Sequence, residues 1–298
     1  MSKNFSGLYT ALITAFYSDK SIDYPSLEKL INGQIKAGVD GLVILGTTGG
    51  SPILNDDESE EIIKFAVNVA NGKIKVIVGT GTNQTKSSVE KSKRAEALGA
   101  DAVMTVNPYY NKPIQEGLYQ HFMQIADSIN IPIILYNIKG RTGVNLETKT
   151  LLKLAKHPNI VGVKEASGDM SQIMDVIKNV DKNFFILSGD DALTYPMMCL
   201  GAHGVVSVIS NVLPKEMKHI VQESMAGNFD TARKYHYKLL NLMKALLSIA
   251  NNPISVKTLM AYLGKIEEEF RLPICRMGEK ERNELIKVYQ EYINGWFL

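Results

Sequence analysis

A lysine at the end of a strand-like segment is the residue of this sequence whose position most suggests chemistry. Residues 160–169 read IVGVKEASGD, where an apolar run typical of an interior strand is followed directly by Lys164. Burial favours the neutral amine, which can attack a carbonyl carbon to form a Schiff base. An ion pair with Glu165 is disfavoured because adjacent strand residues point to opposite faces. Position alone leaves two interpretations open: Schiff-base chemistry, or an ion pair with a distant carboxylate.

Three tyrosines follow other apolar runs. Tyr136 ends the run IPIILYNI, and its hydroxyl could transfer protons to and from an imine. The alternative is a tyrosine that closes a barrel core with a satisfied hydroxyl. Tyr109 and Tyr110 lie among prolines and asparagines that indicate a turn, and exposed aromatic residues of this kind are typical of a subunit contact.

Two segments could hold a carboxylate. In GTTGG (46–50), Thr47 and Thr48 offer hydroxyls and backbone N–H groups just before a predicted helix. Arg141 follows a glycine near the end of the fifth run, where a guanidinium could bind a substrate carboxylate through two hydrogen bonds. The alternatives are a plain strand–helix turn and a surface arginine.

The sequence predicts no metal site. Asp190 and Asp191 are adjacent carboxylates without a third ligand at a suitable spacing, so we interpret them as a helix N-cap. The five histidines lie singly on predicted helices or turns, and we assign none of them a catalytic role.

The overall composition argues against nucleic acids and membranes as partners. The net charge is +2, from 33 basic and 31 acidic residues, and no run of five basic residues occurs. Cys199 and Cys275 show no metal or redox spacing, which favours a reducing, cytoplasmic setting. The apolar stretch at residues 8–16 lacks the small-residue cleavage pattern of a signal peptide. We interpret this stretch as the first strand.

The elements that must position these residues alternate along the chain. Eight short apolar runs are separated by segments of helical period, a pattern typical of parallel βα units. Because the strand runs are continuously apolar, helices should cover the sheet. Eight units in about 210 residues predict an α/β protein with a TIM (β/α)8 barrel at residues 1–213 that carries the active site at its strand C-terminal ends. A C-terminal helical extension, residues 214–298, would include the last barrel helix and would pack on the barrel and in oligomers.

Five motifs taken together resemble a known family. They are GTTG (46–49), NPYYNKP (107–113), the YNIKGRTG segment (136–143), GVKEASGD (162–169), and SGDD (188–191) with GAHGVVSV (201–208). Over essentially the whole chain the sequence resembles the dihydrodipicolinate synthase / N-acetylneuraminate lyase family of pyruvate-dependent class I aldolases. It is most similar to the members that condense pyruvate with aspartate 4-semialdehyde on the route to lysine.

The resemblance implies a catalytic set of four residues. Lys164 would form the imine with pyruvate, and Tyr136 would be the proton shuttle, hydrogen-bonded to Thr47. Tyr110 would complete this relay from a neighbouring subunit, which requires at least a dimer. The family norm is a homotetramer built from two dimers, without a cofactor.

The resemblance also implies a substrate-binding set. Thr48 would help to hold the carboxylate of pyruvate, and Arg141 would stabilise the carboxylate of the semialdehyde at the entrance. Gly189 and Val206 would line the site.

This sequence departs from the family pattern at two places and at a regulatory site. The family usually has glutamate where Gly50 stands, and a proline in the loop that here reads Ile-Lys-Gly at 138–140. In members inhibited by lysine, the allosteric site carries histidine and glutamate. Ser51, Asn83 and Tyr109 match that site, but its other positions are Asp56, Ser59 and Ser87, so we expect weak or absent feedback by lysine.

Two alternatives to the synthase remain. One is a pyruvate-releasing lyase for a sialic acid or a 2-keto-3-deoxy sugar acid, but Arg141 and the paired threonines favour the synthase. The other is a non-catalytic barrel that binds a 2-oxo acid. The intact set of Lys164, Tyr136, Thr47 and Tyr110 argues against this second alternative, because an unused relay would tolerate substitution.

Overall fold

Eight parallel strands close into a barrel in sequence order, with β8 paired to β1. The computed structural model describes residues 4–295. Each apolar run predicted as a strand contributes one strand, so the predicted TIM barrel is confirmed. The strands are β1 (Gly7–Ala11), β2 (Gly41–Ile44), β3 (Lys75–Gly79), β4 (Ala102–Val106), β5 (Ile133–Asn137), β6 (Ile160–Glu165), β7 (Phe185–Ser188) and β8 (Gly204–Ser207).

Helices follow the strands and continue beyond β8 into the C-terminal region. The last four helices form the predicted C-terminal helical extension, and its breaks fall at the glycines and prolines that the sequence places there. The helices are α1 (Tyr24–Ala37), α2 (Asp56–Ala70), α3 (Thr85–Ala97), α4 (Gln115–Ala126), α5 (Lys139–Thr142), α6 (Thr148–Leu154), α7 (Met170–Asn179), α8 (Thr194–Cys199), α9 (Pro214–Met225), α10 (Phe229–Ser248), α11 (Ile254–Tyr262) and α12 (Glu279–Ile293).

The helix boundaries follow from local capping chemistry. The Asp23 side chain accepts a hydrogen bond from the Ser26 N–H at the start of α1, and Asn55 and Glu58 form a capping box at the start of α2. Helix α1 ends at Gly38, whose φ of 76° is a left-handed conformation that glycine adopts without a steric penalty.

Two separate apolar clusters fill the molecule. The larger one lies between the outer face of the strands and the helices. The smaller one fills the barrel interior with alternate residues of the strands, and it includes Phe5, Tyr9, Met104, Tyr136 and Val206. The alternation of faces along each strand therefore decides which side chains enter the interior and which support the wall from outside.

The first strand is shorter than its apolar run predicts. β1 stops at Ala11, although the run continues to residue 16. Beyond it, the Ile13 N–H donates to the side chain of Asn211 and the Thr14 hydroxyl donates to the carbonyl of Gly49. These contacts draw the chain out of the barrel wall, so the rest of the run is buried without being a strand.

The boundary at residue 213 stays a prediction, and the outer limits of both predicted regions (residues 1–3 and 296–298) lie outside the described residues. Within residues 4–295, no helix combines the length and the apolar character needed to cross a lipid bilayer.

Candidate active site

Lys164 and Tyr136 lie side by side on the inner wall of the barrel. They are paired across β5 and β6, and the Lys164 Nζ lies 4.1 Å from the centre of the Tyr136 ring. Lys164 is 6% exposed and Tyr136 is similarly buried. Glu165 points to the opposite face, as the strand period predicts, so it does not pair with the lysine.

Burial sets the protonation state of this pair. It lowers the pKa of Lys164 to about 7, with Asp191 opposing the shift and the Arg141 guanidinium adding to it. Burial also raises the pKa of Tyr136 to about 12, while Arg141 and a hydrogen bond with Thr47 act in the opposite direction. The site therefore contains an amine that is partly neutral near neutral pH beside a phenol that keeps its proton.

Gly189 has no side chain, and this leaves room for the side chain of Lys164. A Cβ atom built on Gly189 would lie 3.0 Å from the Cε of Lys164 and 2.7 Å from the Cβ of Ala166. Any larger residue at the end of β7 would therefore displace the lysine or the strand. Val206, on β8, belongs to the same interior cluster as Tyr136 and is 1% exposed.

The GTTGG turn is linked to Arg141 through the C-terminal region. The Asn252 amide donates to the Thr48 hydroxyl (2.9 Å), and Arg141 Nη2 donates to the Asn252 carbonyl (3.2 Å). Helix α5 forms a single turn at residues 139–142 and holds Arg141 exposed at this edge. Sequence reasoning missed Asn252, because only tertiary contacts bring it to the barrel.

A buried amide network supports the wall from outside. Asn137 Nδ2 donates to Glu165 Oε2 (3.1 Å), and Asn137 Oδ1 accepts from Asn107 Nδ2 (3.0 Å) and from the Leu146 N–H (3.0 Å). Glu165 also accepts from the Ser167 N–H (2.7 Å), and burial raises the pKa of its carboxyl. The network ties the ends of β4, β5 and β6 together, and so it fixes the backbone that carries Tyr136 and Lys164.

The two aspartates after β7 have different roles. Asp190 caps the next turn, since its side chain accepts from the Ala192 N–H, as predicted. The prediction is wrong for Asp191, which is buried and accepts from the N–H groups of Val208 (3.0 Å) and Ile209 (2.9 Å). Burial raises the pKa of Asp191 to about 6. Its carboxylate holds the end of β8 and is close enough to affect Lys164.

The tyrosine turn lies away from this cluster. Tyr110 is 87% exposed, and its φ of 74° is left-handed. Tyr109 is less exposed, and the neighbouring Asn111 donates to the carbonyl of Asn83. The structure thus brings Lys164, Tyr136 and Thr47 together in one subunit, but not Tyr110.

The predicted regulatory positions are divided between that turn and a groove. Ser51, Asp56, Ser59 and Ser87 line the groove between α2 and α3. Lys91 forms an ion pair with Asp56 there, and Arg94 forms one with Glu60.

Comparison with known proteins agrees with this geometry. The sequence model of the dihydrodipicolinate synthetase family matches residues 4–292. A 4-hydroxy-tetrahydrodipicolinate synthase of Endomicrobium trichonymphae is 49% identical, over 97% of this chain and 98% of the relative. The crystal structure of dihydrodipicolinate synthase from Aquifex aeolicus superposes with a TM-score of 0.95 at 45% identity, covering 97% of this chain and 98% of the other.

A second solved structure is that of a monomer. It is described as the first monomeric dihydrodipicolinate synthase variant, and it superposes with a TM-score of 0.94 at 42% identity, covering 97% of each chain. Fold, strand-end chemistry and sequence agree along nearly the whole length, and the chain belongs to the dihydrodipicolinate synthetase family.

Proposed function

We propose that this protein condenses pyruvate with aspartate 4-semialdehyde to give 4-hydroxy-tetrahydrodipicolinate, a step of lysine (diaminopimelate) biosynthesis. The observation that carries the proposal is the buried amine of Lys164, whose pKa is about 7, beside the ring of Tyr136 at the barrel mouth. Relatives that share nearly half of the sequence are 4-hydroxy-tetrahydrodipicolinate synthases.

The chemistry follows from an imine as electron sink. The neutral amine of Lys164 attacks C2 of pyruvate, and loss of water gives a protonated imine. The imine acidifies the methyl group, so removal of one proton gives an enamine. The enamine carbon attacks the aldehyde carbon, whose oxygen takes up a proton. The amino group of the product then displaces Lys164, which closes the ring and regenerates the enzyme.

The proton transfers of this reaction are assigned to Tyr136, Thr47 and Tyr110. The phenol of Tyr136 adjoins the lysine and interacts with Thr47. Tyr110 is too exposed to serve its own subunit alone, and this supports a role at the site of a partner.

Substrate contacts are assigned to the residues around the lysine. Thr48 would hold the carboxylate of pyruvate, and Arg141 would hold that of the semialdehyde at the edge of the mouth. Gly189 and Val206 would line the space between the two substrates.

Assembly and location are part of the proposal. The shared role of Tyr110 supports a dimer, and the homotetramer of two dimers expected for the family would present two such pairs. The free thiols of Cys199 and Cys275 support a cytoplasmic location.

The test is turnover of pyruvate and aspartate 4-semialdehyde, followed as NADPH loss through added dihydrodipicolinate reductase. We expect robust turnover, and borohydride with pyruvate should add one reduced pyruvyl group at Lys164. Lys164→Ala should abolish both signals, while Lys178→Ala, an exposed lysine of α7, should change neither. A folded protein without turnover would contradict the proposal, and cleavage of a sugar acid instead would favour the lyase.

A further inference from the structure

A second buried lysine lies outside the reaction described above. Lys257, in α11, is 3% exposed. Its Nζ lies 4.4 Å from the centre of the Phe16 ring and 5.0 Å from that of Phe270. Among residues 4–295, the side-chain nitrogen of Lys257 has no hydrogen-bond acceptor and no ion-pair partner. Aromatic faces stabilise a cation but accept no ordinary hydrogen bond from it, so the three donors of the ammonium group lack partners.

The ammonium group adjoins a small cavity. It offers about 10 Å³ to the centre of a water-sized sphere, which is far below the usual size of a site for an organic ligand and leaves room for one small particle. Lys257 and Thr48 line it together with Gly49, Gly50 and Thr14, whose hydroxyl donates to the Gly49 carbonyl, and apolar side chains form the remaining wall. Among the residues that the structure describes, no acidic side chain lines the cavity.

The charges nearby do not neutralise Lys257. Glu269 accepts hydrogen bonds from Lys20 and Arg276, and Glu58 accepts two from Arg271. These carboxylates are thus already engaged with other cations. Consistently, burial lowers the pKa of Lys257 to about 7, with only Glu269 opposing the shift while Arg271 and Lys20 add to it.

A second donor faces the same space. The Thr48 hydroxyl accepts the hydrogen bond of Asn252 (2.9 Å), so its own proton remains available to a guest in the cavity. The ammonium group is a donor only, and the hydroxyl has a proton to donate, so the pair matches a small anion rather than a cation.

We propose that this cavity binds one small monovalent anion, of the size of chloride, between Lys257 and Thr48. Bound anion fixes the Thr48 side chain and thereby the GTTGG turn. This second consequence rests on the proposed function, in which that turn holds the carboxylate of pyruvate.

Thermal unfolding of the complete protein in chloride tests the binding, with gluconate, which is too large for the cavity, as the reference salt at equal ionic strength. At about tenfold the dissociation constant, chloride should raise the melting temperature of the wild type by about 2 to 4 °C relative to gluconate. Lys257→Met should lose this difference. Lys29→Met, at an exposed position of α1, should keep it. An equal difference in all three proteins would overturn the site.

A crystal grown in bromide gives a readout that does not depend on the stability of any variant. We expect an anomalous peak within hydrogen-bonding reach of the Lys257 Nζ. Peaks at surface positions alone would mean an adventitious ion only, and would reject the proposal. If turnover fails but the bromide peak is present, the proposed function is wrong while the anion site stands. If turnover is normal and the cavity holds no bromide, the anion site is wrong while the proposed function stands.

Discussion

Lys164 and Tyr136 are paired residues of adjacent strands, and the lysine nitrogen lies over the tyrosine ring at 4.1 Å from its centre. An ammonium group gains from such a ring face, but burial acts against its charge and brings its pKa to about 7.

Activity should fall on the acid side of neutrality, because protonated Lys164 cannot attack pyruvate. Below pH 7 we expect kcat/KM to decrease with decreasing pH. Arg141→Gln removes a cation that lowers the pKa of Lys164, so this acid limb should move to higher pH. Asp191→Asn removes a charge that raises the pKa, so the limb should move to lower pH, by about half a unit or more in each case. Profiles of kcat/KM that shift in the same direction in both variants would refute this electrostatic assignment.

Gly189→Ala should impair the lysine without unfolding the protein. The added methyl group meets Ala166 and Lys164 at 2.7 and 3.0 Å, and misplacing the amine should lower kcat/KM by about 10- to 100-fold. Gly140→Ala is the matched control, since a Cβ atom there has no neighbour within 4 Å. Equal activities in the two variants would show that the lysine needs no such space.

Asn137→Ala should reduce stability and activity together. It removes one hydrogen-bond partner each from Glu165, Asn107 and the Leu146 N–H in a buried region, at a cost of about 2 to 4 kcal/mol. Chemical unfolding measures the loss of stability, and the rate of borohydride trapping measures the misplacement of Lys164. Asn179→Ala, which removes an exposed bond to the Asp175 carbonyl, should change neither quantity.

Tyr110→Phe should slow turnover about 100-fold with an unchanged oligomeric state, because only the hydroxyl takes part in proton transfer. Tyr237→Phe, an exposed tyrosine of α10, should leave the rate unchanged. Mixed oligomers of Tyr110→Phe and Lys164→Ala subunits should be more active than either parent, since some sites would then contain both intact residues. No recovery in verified mixed oligomers would confine Tyr110 to its own subunit.

Free lysine should inhibit this protein weakly or not at all. The groove that contains Ser51, Asp56, Ser59 and Ser87 also contains Lys91 and Arg94, and Asp56 is already engaged by Lys91. A second ammonium group is therefore disfavoured there. The check is the coupled assay over rising lysine concentrations, and inhibition in the sub-millimolar range would contradict the expectation.

The barrel could be predicted from the sequence because its signals are local. Continuous apolar runs such as residues 133–136 mark strands, and caps such as Asp23 and the Asn55–Glu58 pair mark helix starts. A lysine directly after such a run marked Lys164 as a candidate, and strand order placed it beside Tyr136.

The surroundings of the site could not be predicted in this way. Asp191 acts on Lys164 through its burial beneath the end of β8, and Asn252 reaches Thr48 across 204 positions of the chain. Neither contact leaves a periodic or short-range pattern. The burial of Lys257 could not be predicted either, because an isolated lysine within a helical segment is usually on the surface.

Closure of the barrel also orders events during synthesis. Gly7 pairs with Gly204 and Tyr9 with Val206, so β1 gains its second neighbour only after about two thirds of the chain has been made. At ordinary rates of translation this takes roughly 10 to 40 s, during which β1 presents an open strand edge. The reactive lysine leaves the ribosome earlier than β8. A nascent chain therefore carries its nucleophile before it has the enclosed environment that makes that nucleophile reactive.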